Sequence, residues 1–164
     1  KSTGEVMGIA GNFPAAFTKT QLAIDYEPPR GGEVFISVND GDKRNITAIA
    51  RSIARLGFSL VATTGTARAL RASGIECEEV GKIHAGSHTI LDRIASGEIV
   101  LMINTPFGSS TNTDGYEMRA ACVRHGVSYC TTLAGAQALI AGMEAVRETG
   151  LDVIALQDLP QWEG

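Results

Sequence analysis

A turn of hydroxyl side chains, Thr63-Thr64-Gly65-Thr66, follows an apolar run at residues 58–62 and precedes a helical pattern that starts at residue 67. At a strand-to-helix junction, the N–H groups of the first helical turn lack partners within the helix, and the helix dipole adds partial positive charge. Together with the hydroxyl groups, they form a turn suited to a phosphate or a carboxylate. The alternative is structural, because a threonine at this place can simply cap the helix.

Two lysines follow other apolar runs at comparable places. Lys43 comes after the run at residues 34–38, and Lys82 comes after a short run at about residues 77–80. We expect Lys43 in the first turn of a helix, where a cation opposes the dipole unless it binds an anion. An exposed lysine without a ligand is the alternative there.

Polar side chains also follow the two remaining strand patterns. Asn104 and Thr105 begin a loop rich in hydroxyl groups, Asp114 lies at its end, and Thr131 and Thr132 follow residues 127–130. Asn104 and Asp114 can hydrogen-bond sugar hydroxyls or a base edge, although Asp114 is equally suited to cap a helix. Two lysines, many neutral donors and few acids predict a site for a phosphorylated small molecule.

Strand and helix patterns alternate along the chain and must position these residues. Strands are predicted at residues 34–38, 58–62, about 77–80, 100–103 and 127–130, and a further apolar run lies at 153–156. Helices are predicted at residues 12–24, 42–56, 67–72, 89–95, 114–125 and 132–148. This pattern predicts an α/β fold, a three-layer doubly wound parallel sheet with its ligand site at the carboxyl ends of the strands.

Composition excludes several classes of protein. The 164 residues are 44% hydrophobic and 20% charged, which fits one globular domain. A net charge of −4 argues against broad nucleic-acid binding, and no apolar run is long enough to predict a membrane span. The three cysteines form no CxxC motif, so we expect reduced thiols in a cytoplasmic setting. His84 and His88 are separated by Gly86 and belong to no HExxH motif, so we expect no metal site.

Read together, these residues resemble the methylglyoxal-synthase-like domain at the C-terminus of the carbamoyl phosphate synthetase large chain. The resemblance extends from Lys1 to about Asp158. It is carried by Lys1–Gly8, Phe35–Val38 with Asp42-Lys43, Ala62–Ala67, Asp92–Ile94, Ile103–Thr105 and Tyr129–Leu133. Lys1–Gly8 resembles the segment that leaves the second ATP-grasp unit of that enzyme, so we expect the chain to be part of a longer polypeptide. The implied organisation is a connector with one helix at 1–32, the regulatory domain at 33–158 and a tail at 159–164.

The resemblance implies a regulatory, non-catalytic role for this chain. Bacterial members bind UMP as inhibitor and IMP as activator at one overlapping site, and ornithine activates at the boundary with the synthetase units. The implied phosphate contacts are Lys43, Thr63, Thr66 and Lys82, with Thr64 and Gly65 in the same turn. Asn104, Thr105 and Asp114 would face the sugar or base, and Thr131 would lie toward ornithine.

The resemblance also describes the parent enzyme. It is a cytoplasmic ligase that uses ATP and Mg (or Mn) and serves pyrimidine and arginine synthesis. It takes ammonia from glutamine through a glutaminase small chain. We expect no cofactor and no catalytic residue in this chain. The expected partners are a nucleotide effector, the remainder of the large chain, the small chain of the parent and another copy of the domain, with no nucleic acid or membrane.

Two alternatives stay open. Free-standing methylglyoxal synthases also resemble the chain in the Thr-Gly-Thr turn, but their Gly-Gly-Asp is replaced by Gly108-Ser109-Ser110 and their histidine loop by Asn112-Thr113-Asp114. Without that aspartate the lyase lacks its base. The other alternative is an oligomerisation domain that packs through the alanine-rich helix at 132–148. The chain also departs from its family in the loop 106–110 and at Gly115, where a serine is common, and both changes bear on nucleotide preference.

Overall fold

The computed structural model describes residues 4–24, 26–81, 89–106, 113–150, 153–155 and 157–158. Within these residues, helices and strands alternate as the sequence predicts. The helices are α1 (Phe13–Ala23), α2 (Ile46–Arg55), α3 (Thr64–Ala72), α4 (Ile90–Ala95), α5 (Thr113–His125) and α6 (Leu133–Thr149). The strands are β1 (Glu33–Ser37), β2 (Ser59–Thr63), β3 (Glu78–Val80), β4 (Ile99–Asn104) and β5 (Ser128–Cys130).

The five strands form a parallel sheet in the order β3-β2-β1-β4-β5. The chain order reverses between β1 and β4, and sheets of this type bind ligands at the carboxyl ends of the strands beside such a reversal. Ser37, which ends β1, pairs with Asn104, which ends β4. The predicted doubly wound α/β sheet is therefore confirmed, and the residues that follow β1 and β4 lie side by side.

Helices cover both faces of the sheet. Phe35, Val61 and Met102 are neighbours across β1, β2 and β4, and they form a buried cluster with apolar residues of α4 and α5. Successive strand residues point to opposite faces, so Val34 and Ile36 face the other side, where α2 and α3 contact β2. Burial on both faces explains why the strand patterns are continuously apolar rather than alternating.

The helix predicted to start at Asp42 starts at Ile46 instead. The side chain of Asn39 causes the delay, because its Oδ1 accepts the Asp42 N–H at 3.1 Å and its Nδ2 donates to Asp42 Oδ2 at 2.7 Å. Such local bonds from an Asn side chain favour a turn over a helix. The prediction for Lys43 was therefore wrong in one respect: it lies in the turn before α2, not in the first turn of the helix.

The chain divides into two compact units, residues 1–28 with 137–164 and residues 29–136, and the second unit contains the sheet. In the first unit, Asn12 caps α1 by accepting the Ala15 N–H at 3.0 Å, as predicted. A side chain at Gly142 of α6 would collide with Thr18, so α1 and α6 approach closely at this glycine. Residues 153–155, part of the last apolar run, form no strand. The boundaries at 32 and 158 remain predictions.

Candidate functional site

Two buried threonines hold the chain where it leaves β1. Thr66 accepts a hydrogen bond from the Val38 N–H at 3.2 Å, and Thr105 accepts one from the Asn39 N–H at 3.0 Å. Neither residue is more than 2% exposed. The ends of β1, β2 and β4 are thereby fixed to one another. We call the resulting group of residues 37–43, 63–66 and 104–106, with Gly115 and Arg119 of α5, the carboxyl-edge crevice.

Lys43 brings a positive charge to the first turn of α3. An ideal Cβ built on Gly65 would lie 2.8 Å from Lys43 Nζ and 3.5 Å from its Cε. The ammonium group also forms an ion pair with the carboxylate of Asp40, whose side chain is 81% exposed. The lysine side chain as a whole is 27% exposed, so it is partly shielded from solvent.

The Thr63 side chain does not cap α3, although Thr63 occupies the N-cap position. Its Oγ1 lies 3.4 Å from Ser37 Oγ and 3.3 Å from Thr66 Oγ1. The alternative that Thr63 serves as a side-chain cap is therefore wrong. The first N–H groups of a helix have no acceptor within it, and Thr64 and Gly65 are both exposed. This turn can donate backbone hydrogen bonds to an anion beside the Lys43 ammonium.

At the β4 side of the crevice, Asn104 contacts α5. Its Oδ1 accepts a hydrogen bond from Arg119 Nη1 at 3.1 Å, and its Nδ2 donates to the Ser37 carbonyl at 3.4 Å. Gly115, one turn before Arg119 on the same helix, lies against both side chains. This side of the crevice therefore carries a second cation, the guanidinium of Arg119.

The structure brings most of the predicted site residues together. Those that meet in the crevice are Lys43, Thr63, Thr64, Gly65, Thr66, Asn104 and Thr105. Asp114 adjoins Gly115 in the first turn of α5, so it is a helical residue rather than a cap. Thr131 follows β5 at the same edge of the sheet, one strand beyond β4. Lys82 and residues 107–112 lie outside the described residues, and the binding role of every predicted residue remains a prediction.

Sequence reasoning missed both Arg119 and the pairing of Asp40 with Lys43. Arg119 follows Gly115 by four residues, which places both on one face of a helix. That spacing was a usable signal, because Gly115 is a departure from the pattern of the family. The spacing of three residues between Asp40 and Lys43 was a weaker signal for their ion pair. Because the helix was predicted to start at Asp42, the two residues were not expected to share one turn.

The thiols are weak candidates for chemistry. Burial raises the pKa of Cys122 to about 11 and that of Cys130 to about 11. The pKa of Cys77 is also raised by burial, and Arg71 offsets part of that effect. Among the described residues, no group of three or more His, Cys, Asp or Glu side chains could hold a metal ion. Within that same part of the chain, no helix combines the length and the apolar character that crossing a membrane requires.

A separate ionic cluster lies at the opposite, amino edge of the sheet. Arg93 of α4 is 6% exposed and bonds with Glu78, which begins β3, and with Glu33, which begins β1. Glu98, just before β4, lies 3.5 Å from Arg93 Nε. Hydrogen bonds to Glu78 and Glu33 raise the pKa of Arg93 above its usual value despite burial. This arginine stays charged and joins α4 to three strands, so its role is structural.

Comparisons with known proteins agree with the fold. The family model described as MGS-like domain matches residues 45–131, which is more than half of the chain. Among solved structures, a methylglyoxal synthase from Elizabethkingia anophelis superposes with a TM-score of 0.56. The match covers 83% of this chain and 94% of that one at 12% identity, which shows a shared fold alone.

Sequence relatives are more specific. A "carbamoyl phosphate synthase large chain, C-terminal section" from Methanopyrus kandleri is 51% identical over 97% of this chain and 30% of its own length. The carbamoyl phosphate synthase large chain of Myxococcus xanthus is 44% identical over 96% of this chain and 15% of its own. The chain thus spans less than a third of the length of these relatives. It belongs to the MGS-like domain family, in the form found in carbamoyl phosphate synthase large chains.

Proposed function

We propose that this chain is an effector-binding regulatory domain of a carbamoyl phosphate synthase large chain. Its carboxyl-edge crevice binds the phosphate of a nucleoside monophosphate of the UMP or IMP type. The observation that carries the proposal is the position of the Lys43 ammonium against the uncapped first turn of α3. A fixed cation beside free backbone N–H groups suits a dianionic phosphate better than a neutral ligand.

The proposed contacts divide by chemistry. Lys43, Lys82 and the turn Thr63–Thr66 hold the phosphate. Asn104, Thr105 and Asp114 lie toward the sugar or base. Thr131, at the next strand end, lies toward ornithine. Thr66 and Thr105 are buried, so their contribution is chiefly to hold the strand ends that shape the crevice.

Regulation requires differential binding. The large chain, as proposed, uses ATP and Mg (or Mn) and receives ammonia through a glutaminase small chain in the cytoplasm, to supply pyrimidine and arginine synthesis. An effector shifts its activity only if it binds the high-activity and low-activity states with different affinity. The effector therefore acts through contacts between this domain and the remainder of the large chain.

Thermal-shift measurements with UMP, IMP, ornithine and acetylglutamate test the proposal. A ligand at 100 times its Kd should stabilise the folded chain by about 2.7 kcal/mol. The shift with UMP or IMP should be lost in Lys43→Met and reduced in Lys82→Ala. Arg124→Met, which removes an exposed cation at the end of α5, is the matched control and should respond like the wild type. If neither UMP nor IMP shifts the wild type, the proposal is wrong.

Two further assays test the alternatives. Phosphate release from dihydroxyacetone phosphate should be absent, because no base matches that of the lyases; sustained turnover would contradict a purely regulatory role. Sedimentation or light scattering of the isolated chain tests the oligomerisation alternative. Self-association is compatible with effector binding, so the size measurement and the thermal-shift measurement do not decide each other.

A further inference from the structure

The Asn104 amide has two neighbours of fixed hydrogen-bond polarity. A guanidinium can only donate, and Arg119 Nη1 faces Asn104 Oδ1 at 3.1 Å. A backbone carbonyl can only accept, and the Ser37 carbonyl faces Asn104 Nδ2 at 3.4 Å. Only one of the two orientations of the amide satisfies both neighbours. Because the bond to Ser37 is long and therefore weak, Arg119 contributes most to that choice.

The orientation decides what Asn104 can offer to a ligand. Its oxygen is engaged by a charged donor, and one N–H is directed to Ser37. The second N–H has no acceptor among the described residues. Asn104 is only 7% exposed, so water cannot freely satisfy an amide that is turned the wrong way.

Gly115 provides the space that this arrangement needs. An ideal Cβ at position 115 would lie 3.1 Å from Arg119 Nη1 and 3.4 Å from Asn104 Oδ1. Any side chain there crowds Arg119 Nη1, the donor of this hydrogen bond, while Asn104 Oδ1 stays at an ordinary contact distance. Glycine at 115 and arginine one turn later thus act as a pair.

We infer that Arg119 is a positioning residue of the effector site: it holds the Asn104 amide so that Asn104 donates a hydrogen bond to the ligand. The ligand atom at that place is then an acceptor, such as a phosphate, hydroxyl or carbonyl oxygen. Without Arg119 the amide can rotate by half a turn and present its oxygen, which repels such an atom. The inference rests on the proposed nucleotide site.

Titration calorimetry with UMP compares the wild-type chain with Arg119→Met, Arg119→Lys and the control Arg124→Met. Arg119→Met should weaken binding about tenfold, as expected when one donor is misplaced. Arg119→Lys keeps a charged donor and should restore most of the affinity. Arg124→Met removes the same charge from an exposed position on the same helix, and its affinity should stay within about twofold of the wild type.

A spectroscopic readout separates positioning from a general structural effect. The side-chain amide resonances of Asn104, assigned with Asn104→Ser, should shift on UMP addition in the wild type and in Arg119→Lys. In Arg119→Met they should broaden or split before UMP is added, because two orientations become populated. Unchanged resonances together with wild-type affinity would overturn the inference.

Gly115→Ala keeps every charge, and it is the variant to test if Arg119→Met does not fold. It should weaken UMP binding several-fold by displacing Nη1, and wild-type affinity in this variant would also overturn the inference. If the wild type itself binds neither UMP nor IMP, the proposed function fails, and the assigned role of Arg119 fails with it. If the wild type binds and Arg119→Met binds equally well, only the inference fails.

Discussion

The ammonium group of Lys43 lies directly over the backbone of Gly65, so close that an ideal Cβ on this glycine would be 2.8 Å from Nζ. The lysine comes from the turn after β1 and the glycine from the first turn of α3, after β2. Two residues that are 22 positions apart in sequence are therefore in direct contact. A hydrogen atom is the largest substituent that position 65 accepts without moving the lysine.

Gly65→Ala should weaken UMP binding while leaving the fold intact. The methyl group displaces only the end of a flexible side chain, and alanine favours a helix over glycine, so stability should change by less than about 1 kcal/mol. The displaced ammonium no longer lies against the turn, and affinity should fall about tenfold. Gly31→Ala is the matched control, because a Cβ there meets nothing within 4 Å. If calorimetry gives Gly65→Ala the same UMP affinity as the wild type, the contact between Lys43 and Gly65 takes no part in binding.

Asp40→Asn should strengthen the binding of phosphate ligands. The Asp40 carboxylate pairs with the Lys43 ammonium, so an incoming phosphate must compete with a negative charge already present. Because Asp40 is largely exposed, removing that charge should tighten UMP binding only modestly, by about two- to fivefold.

The matched control for Asp40→Asn is Glu76→Gln, an exposed acid outside the crevice whose loss changes the net charge equally. If the control gains as much affinity as Asp40→Asn, the effect is one of overall charge. If Asp40→Asn binds more weakly, Asp40 holds Lys43 in place rather than competing for it. Raising the salt concentration should reduce the gain, since exposed charges are screened.

Sequence patterns predicted the sheet because its strands are short, continuously apolar and separated by helix-forming segments. The burial of Phe35 and Met102 could be predicted from the continuous apolar runs alone, because strands buried on both faces are apolar at successive positions. The place of Thr63–Thr66 at a strand end was also predictable, because it follows from the alternation of elements. The predicted helix start at residue 67 was wrong, since α3 already begins at Thr64. Local hydrogen bonding was harder to predict: the side chain of Asn39 delays α2 to Ile46, and propensity alone does not show this.

The partners of the site residues could not be predicted. Arg119 reaches Asn104 only because the parallel pairing of β1 with β4 and the packing of α5 bring them together. Such contacts depend on strand order, which pattern reasoning left undetermined. The same holds for Arg93, whose three carboxylate neighbours lie in β1, in β3 and just before β4.

Cys122 and Cys130 should resist alkylation in the folded chain. With pKa values of about 11, both are almost wholly protonated at pH 8. Only about one thiol in a thousand is then ionised, whereas roughly a quarter of unperturbed thiols are. Intact-mass measurements after iodoacetamide treatment should show slow labelling of both residues, and rapid labelling in urea. Fast modification of Cys130 under native conditions would show that β5 opens readily.

Arg93→Met should destabilise the chain without changing UMP affinity. Arg93 is almost fully buried, and its loss leaves the Glu33 carboxylate, which is 23% exposed, without its ion-pair partner. Because Glu78 and Glu98 are more exposed and can turn to solvent, we expect a loss of about 2 kcal/mol in the free energy of unfolding, below that of a fully buried pair. Arg71→Met, which breaks an exposed pair with Glu79, should cost less than about 1 kcal/mol. Urea unfolding measures both, and equal losses in the two variants would contradict a special role for the buried arginine.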